Sequence, residues 1–215
     1  MKVAILCESV ADQDALRILA DAVLGIRTEL LEGSIGLTQS WPSLLNALPA
    51  VYRYLYYNSD ADGLIVVADG NGSLVHRDEH ELPASSNPRC RLCQLRGVLE
   101  IVQSDVPNIG RERPLLTALG MPYRQIEAWY RCRYDAGVNE AAWLNGQSTG
   151  SYPYADAQLK KLVYGTDRPG LDLARTRARE DAEWLAEHLP LLEASFPVGF
   201  GGMARELRGW LASSA

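Results

Sequence analysis

Residues 3–8 of the chain read VAILCE, a run of five apolar residues that ends at an acid, Glu8. Residues 64–69 read LIVVAD, a second apolar run that ends at Asp69. Uninterrupted apolar runs of this length are typical of strands buried on both faces, as in a parallel sheet covered by helices. The carboxyl ends of parallel strands lie at one edge of the sheet, where open α/β folds carry out their chemistry, so both acids are expected there. Two such carboxylates can share a divalent cation, which is typical of phosphate chemistry.

The rest of the chain alternates between the helical and the strand period. The predicted strands are separated by helices long enough for right-handed crossovers, so neighbouring strands are expected to run parallel. The sequence therefore predicts an α/β fold with a mostly parallel sheet of four to five strands flanked by helices. In chain order the predicted elements are a strand over residues 3–7, a helix that ends near Gly25, a strand near residues 26–31, a helix from Pro42, a strand over residues 64–68, a helix over residues 92–102, a strand over residues 115–119 and a helix that carries Glu127 in its first turn or so.

The chain divides into two parts by composition. Residues 1–144 are expected to form the α/β core, with an inserted polar loop over residues 74–91. Residues 145–215 are expected to form a mainly helical C-terminal extension that packs on this core. Glycine, serine, tyrosine and proline predict a loop over residues 145–157, at the start of the extension.

Composition excludes several classes of protein. The chain has 215 residues, of which 47% are hydrophobic and 22% charged, as is ordinary for a soluble globular domain. No apolar run approaches the ~20 residues of a membrane span, and the first residues lack the pattern of a signal peptide. We therefore expect a cytoplasmic protein that does not bind membranes. Its four cysteines are expected to be reduced thiols rather than a disulfide framework; they are Cys7, Cys90, Cys93 and Cys132.

The charge is unevenly distributed along the chain. The net charge is −6, but the segment over residues 89–133 is basic, and all of its basic residues are arginines. Arginine can hold a phosphate through two parallel hydrogen bonds, so this segment is a candidate for phosphate contact. The alternative is a solvated helix face with structural salt bridges. The arginines are Arg89, Arg91, Arg96, Arg111, Arg113, Arg124, Arg131 and Arg133.

Three acids occupy corresponding places in the predicted topology. Glu8 and Asp69 follow strands, and Glu127 lies near the helix start that follows the last predicted strand. Each has a structural explanation when taken alone, because Glu8 and Glu127 suit helix N-termini and Asp69 suits an Asp-Gly turn. Their common position favours a shared site.

Several motifs resemble those of a known family. Residues 3–12, VAILCESVAD, resemble the opening motif of TOPRIM domains, an apolar strand with a Glu before a helix. Residues 64–71 are similar to the Asp-x-Asp strand of that family. Residues 122–129, PYRQIEAW, resemble the P-x-x-E-A-W pattern of small stand-alone bacterial TOPRIM-like proteins related to the OLD (overcoming-lysogenisation-defect) nucleases. The resemblance covers about residues 1–135 and implies a TOPRIM-like, Rossmannoid fold.

The resemblance also implies an activity. TOPRIM nucleases cleave phosphodiester bonds in DNA or RNA with Mg²⁺ or Mn²⁺, and relatives serve in anti-phage defence, often beside an ABC- or AAA-type ATPase. Carried over to this chain, Glu8 becomes a metal ligand or general acid/base, and Asp69 and Glu127 become metal ligands. A fourth ligand position falls on Asn71. Arginines of the basic segment, Arg91 and Arg124 above all, would hold the flanking phosphates.

The chain departs from the family at Asn71. The family has a second Asp at this position, and an amide oxygen can coordinate Mg²⁺ but brings no charge. The departure supports an alternative function, a non-catalytic binding or regulatory subunit of the same kind of complex. A receiver-like phosphoacceptor ranks last. Receivers need a lysine after their fifth strand, and the lysines of this chain are confined to Lys2, Lys160 and Lys161. The oligomeric state stays open, with a homodimer among the possibilities.

A second constellation combines histidine and cysteine. His76, His80, Cys90 and Cys93 lie within 18 residues, and two cysteines separated by two residues suit tetrahedral zinc. A structural Zn²⁺ would hold the polar loop in place. The alternatives are cysteines packed as small apolar residues, loop histidines that serve the acidic edge, and a redox-active cysteine pair.

Overall fold

The computed structural model describes residues 1–31, 40–81, 87–106 and 114–212. Arg111, Arg113 and part of the predicted polar loop, residues 82–86, lie outside the described residues. In chain order the elements are β1 (Lys2–Leu6), α1 (Val10–Leu24), β2 (Glu29–Leu30), α2 (Trp41–Asn58), β3 (Gly63–Val67), a 3₁₀ turn (Asp78–Glu81), α3 (Arg91–Asp105), β4 (Leu116–Gly120), α4 (Glu127–Arg131), α5 (Glu140–Thr149), α6 (Asp156–Tyr164), α7 (Leu171–Glu187), α8 (Leu189–Ser195) and α9 (Gly201–Ala212).

The sheet has four strands in the order β2-β1-β3-β4, and every pair is parallel. In the centre of the sheet Ile5 pairs with Ile65, which pairs in turn with Ala118. The side chains of β3 are all buried, which accounts for its continuous apolar sequence. The prediction of an α/β fold with a parallel sheet flanked by helices is confirmed, and the arrangement is consistent with a Rossmannoid fold.

The turn after β1 is fixed by a helix cap. The Ser9 hydroxyl accepts a hydrogen bond from the Asp12 backbone N–H at 3.1 Å, and α1 ends at Gly25 in the left-handed conformation. This cap sets the position of α1 directly beyond the end of β1. It therefore places Glu8 and Asp12 on either side of the turn.

The C-terminal helices cover one side of the core. α7 packs along α1, and α9 packs against β4 and α1. The Trp210 indole donates to the Thr117 carbonyl at 3.2 Å, and a Cβ at Gly63 would lie only 2.5 Å from the Trp210 ring. Glycine at this strand start is what allows the tryptophan of α9 to reach the sheet.

The prediction of a loop over residues 145–157 is wrong for its first residues, which belong to α5. The Asn139 side chain caps this helix by accepting from Ala142 N at 2.9 Å, and Trp143 is buried. The loop prediction relied partly on Gly146, but this glycine lies inside the helix. A Cβ there would be 2.6 Å from the Tyr152 ring, so packing rather than a turn explains the glycine.

Within the described part of the chain, no helix combines the length and the apolar character needed to cross a bilayer.

Candidate functional site

Four carboxylates line one pocket at the carboxyl edge of the sheet. Glu8 and Asp69 each stand two residues beyond the last residue of their strand, and Glu127 is the first residue of α4. The structure brings these three together and adds Asp12 from the first turn of α1. The pocket has a volume of about 390 Å³.

Backbone hydrogen bonds hold the acids in place. Glu8 Oε1 accepts from the Asp69 backbone N–H at 3.2 Å, and Asp69 Oδ1 accepts from the Ile126 backbone N–H at 3.1 Å. The next residue, Gly70, donates to the Pro122 carbonyl at 2.8 Å, and a Cβ at Gly70 would lie 2.8 Å from that oxygen. The loops that follow β1, β3 and β4 are thus tied to one another through the acids themselves.

The pocket concentrates negative charge in a poorly solvated place. Burial raises the pKa of Asp69 well above its usual range, and the charges of Asp12, Glu127 and Glu8 raise it further. Burial also raises the pKa of Asp12 to about 7, with Glu127 the next contributor. The pKa values of Glu8 and Glu127 are raised as well, in both cases chiefly by burial. A cation in the pocket would favour the charged form of every one of these groups.

The far wall of the pocket comes from the C-terminal extension. Lys160 of α6 lines the pocket, and its charge lowers the pKa values of Glu8, Asp12 and Glu127, partly offsetting burial. Tyr164 hydrogen bonds with Glu127. Sequence reasoning missed both residues, because nothing local marks a lysine of α6 as a neighbour of β1.

Arg91 lies beside the acids. Its guanidinium donates to the Asp69 carbonyl and stacks over the Trp41 ring, with Cζ 4.9 Å from the ring centroid. Its charge lowers the pKa of Glu8. Because Arg91 is at the start of α3, its position depends on how that helix begins.

Arg124 and Asn71 lie elsewhere. Arg124 lines a second pocket of about 190 Å³, where its Nε donates to the Asp156 carboxylate and its Cζ lies 5.0 Å from the Tyr152 ring centroid. The Asn71 amide, with its nitrogen facing the acceptors, donates to the Arg124 carbonyl at 2.9 Å and to Asp156 Oδ2 at 3.3 Å. Neither residue lines the acid pocket.

The backbone of Arg124 adopts a conformation that suits glycine, with φ of 66°. Arg124→Gly is therefore expected to be more stable than Arg124→Ala by about 1 kcal/mol, since both remove the side-chain contacts but only Gly removes the left-handed strain. Urea unfolding of both variants measures the difference. An Ala variant at least as stable as the Gly variant would show that the backbone is not strained in solution.

Histidine and cysteine side chains form a second cluster about the start of α3. His76 Nδ1 lies 3.4 Å from the Sγ atoms of both Cys90 and Cys93, and the ligand atoms of these residues and His80 all lie within 4.8 Å of one another. This cluster could bind a metal such as zinc. Burial raises the pKa of Cys90 to about 12, which disfavours a redox-active pair, since redox cysteines have lowered pKa values.

Comparison of the chain with protein-family models, with curated proteins and with solved structures finds no match.

Proposed function

We propose that the protein is a TOPRIM-type nuclease that cleaves DNA or RNA with Mg²⁺ or Mn²⁺ held in the acid pocket. The observation that carries this proposal is the convergence of Glu8, Asp12, Asp69 and Glu127 on one pocket beyond the ends of parallel strands. These are oxygen donors, the ligands that Mg²⁺ and Mn²⁺ prefer.

The charge balance of the pocket supports a cation. Four carboxylates line the pocket, and Lys160 is the cationic side chain among the described residues that line it. Burial, and after it the repulsion between the acids, raises the pKa values of Asp12 and Asp69, and a bound cation would offset both effects. When bound, a divalent cation supplies positive charge to a phosphate and lowers the pKa of an attacking water.

The side chains of the pocket have separate roles in the proposed reaction. Glu8, Asp69 and Glu127 hold the cation, as the resemblance to TOPRIM domains implies. Asp12 lines the same pocket and has no ligand role in the resemblance, so it is the carboxylate in place to exchange a proton with a water there. Arg91 and Lys160 stand next to these acids and would neutralise the incoming phosphate.

Nucleic-acid binding is expected to need help. The net charge of −6 opposes a polyanion, and Arg124 is already paired with Asp156. A partner, in the proposal an ABC- or AAA-type ATPase of an anti-phage system, would supply the missing contacts. The second candidate is a non-catalytic regulatory subunit of such a complex, which is favoured by the contacts of Asn71 with Arg124 and Asp156 outside the acid pocket.

The test is cleavage of supercoiled plasmid and of tRNA by the purified chain, with and without an ATPase encoded beside it, in Mg²⁺ or Mn²⁺. We expect metal-dependent cleavage that falls at least ~100-fold in Glu8→Gln, because this change removes one anionic ligand. Glu180→Gln is the matched control, since Glu180 is an exposed acid paired with Arg177 on α7. Equal cleavage by wild type and Glu8→Gln would contradict the proposed site, and no cleavage under any condition would favour the regulatory function.

A further inference from the structure

We propose that His76, His80, Cys90 and Cys93 bind one Zn²⁺, and that this ion fixes the start of α3 and hence the position of Arg91 beside the acid pocket. The zinc site is independent of the proposed nuclease activity. The consequence for cleavage rests on the proposed function.

The distances within the cluster suit a single tetrahedral ion. With Zn–N near 2.0 Å and Zn–S near 2.3 Å, two ligand atoms on one tetrahedral zinc lie about 3.5 Å apart. His76 Nδ1 is 3.4 Å from each sulfur, and the four ligand atoms all lie within 4.8 Å of one another. Where two ligand atoms are farther apart than about 3.5 Å, side-chain movements of about 1 Å bring both within reach of one ion.

The donors and their surroundings also favour zinc. Two thiolates and two imidazoles form one of the usual ligand sets of structural zinc sites. His76, Cys90 and Cys93 are buried, and no disulfide joins the two cysteines. In the part of the chain that the structure describes, nothing hydrogen bonds with His80 Nδ1, although this atom is buried. A bound ion would give this buried ring nitrogen the partner that it lacks.

Binding also requires the release of both thiol protons to solvent and a change of tautomer at His76. Arg96 Nη1 lies 3.2 Å from His76 Nε2, and since a guanidinium can only donate, Nε2 accepts and Nδ1 carries the proton. Coordination through Nδ1 moves the proton to Nε2, so Arg96 must withdraw. The Glu206 carboxylate, 3.8 Å from Arg96 Nη2, is in place to receive it.

The four ligands join the segment that follows Asp69 of the acid pocket to the start of α3. His76 and His80 follow the exit loop of β3, and Cys90 and Cys93 belong to the first turn of α3. Between the segments, Leu74 N donates to the Arg89 carbonyl at 3.1 Å, and Arg91 N donates to Ser73 Oγ at 3.0 Å. An ion that crosslinks these segments holds Arg91 where its guanidinium reaches the Asp69 carbonyl.

The first test is the metal content of the untagged chain, purified without chelator and measured by mass spectrometry. We expect about one zinc per chain, and at least tenfold less in Cys93→Ser. Cys132→Ser is the matched control, because Cys132 is buried but lies outside the cluster. Its thiol donates a hydrogen bond to the Trp129 carbonyl. Only trace zinc in wild type, another metal in place of zinc, or equal zinc in wild type and Cys93→Ser would overturn the site.

A second measurement covers the case in which Cys93→Ser does not fold. Wild-type protein is treated with a mercurial that blocks thiols, and released zinc is followed with a colorimetric chelator. Release of about one zinc per chain supports the site, and no release overturns it.

The role of Arg91 has its own readouts. Removal of zinc is expected to speed amide hydrogen exchange at residues 70–76 and 89–93 and to lower metal-dependent cleavage about as much as Arg91→Gln does. Zinc removal and Arg91→Gln together should lower cleavage no further than either change alone. Unchanged exchange on zinc removal would overturn the coupling to Arg91 while leaving the zinc site in place. If no variant cleaves but zinc removal still changes amide hydrogen exchange, the proposed nuclease activity is contradicted and the zinc site is not.

Discussion

Asp69→Asn is expected to slow metal-dependent cleavage strongly while raising the thermal stability of the metal-free protein. The amide oxygen can still accept from the Ile126 backbone N–H, so the loop keeps its hydrogen bond. What disappears is a negative charge that burial and the neighbouring Asp12, Glu127 and Glu8 make costly. Relief of this repulsion is expected to add on the order of 1–2 kcal/mol to the free energy of unfolding at pH 8.

The loss of cleavage follows from the same charge. An amide at position 69 is a far weaker ligand for a divalent cation than a carboxylate, and we expect a fall in single-turnover rate on the order of 10³-fold. Thermal unfolding and single-turnover cleavage measure the two effects on the same samples. A residue that only stabilises the loop would lower both quantities instead.

Asp105→Asn serves as the matched control for Asp69→Asn. Asp105 is an exposed acid at the end of α3, where it pairs with Arg53 at 3.4 Å. Exposed ion pairs of this kind contribute little to folding stability, so both the stability and the cleavage of Asp105→Asn should stay close to wild type. If Asp69→Asn destabilised the metal-free protein by more than ~1 kcal/mol, the functional interpretation of the acid cluster would be contradicted.

The stability of the metal-free protein is expected to fall as the pH rises from about 4 to about 7. The pKa of Asp12 is about 7 in the folded protein, against an ordinary value of 3.8, so the folded state retains a proton that the unfolded chain releases. Stability is therefore greatest below the ordinary pKa and declines until the folded protein also ionises. The raised pKa values of Asp69, Glu8 and Glu127 act in the same direction.

Magnesium should cancel most of this decline. Because Asp12 is partly exposed, its ionisation accounts for a loss of stability on the order of 2 kcal/mol. A cation that binds the ionised acids restores this stability. Thermal unfolding from pH 4 to 8, with and without Mg²⁺, measures the effect, and Asp12→Asn should make the decline of the metal-free protein less steep. Glu140, whose pKa is also about 7 but which lies outside the acid pocket, provides the control. Glu140→Gln should leave the response to Mg²⁺ intact, and a response to Mg²⁺ that is equal at pH 4 and pH 8 would contradict the account.

The sequence could predict the strands and their acids because the signal is local. The apolar runs before Glu8 and Asp69 have the length of buried strands, and parallel pairing then places both acids at one edge. Glu127 follows from the same topology, as the first residue of the helix after β4.

The remaining features depend on long-range packing. Asp12 has the sequence context of a helix cap, and only the position of α1 beyond β1 turns it towards the other acids. Lys160 enters the pocket because the C-terminal extension packs back on the core, which no local pattern encodes. The resemblance to TOPRIM domains implies a ligand at Asn71, yet this residue contacts Arg124 and Asp156 and does not line the acid pocket. The spacing of the cysteines and histidines indicated a metal, whereas the approach of His76 Nδ1 to both sulfurs is visible only in three dimensions.

The most direct test of the central claim, that the acid pocket is a divalent-cation site, is a titration of the full chain with Mn²⁺ at pH 7.5, followed by the electron paramagnetic resonance of free Mn²⁺. We expect saturable binding in wild type and in Asp105→Asn, and affinity at least ~10-fold weaker in Asp69→Asn, where one anionic ligand is gone. Absence of saturable binding, or equal affinity in wild type and Asp69→Asn, would contradict the claim.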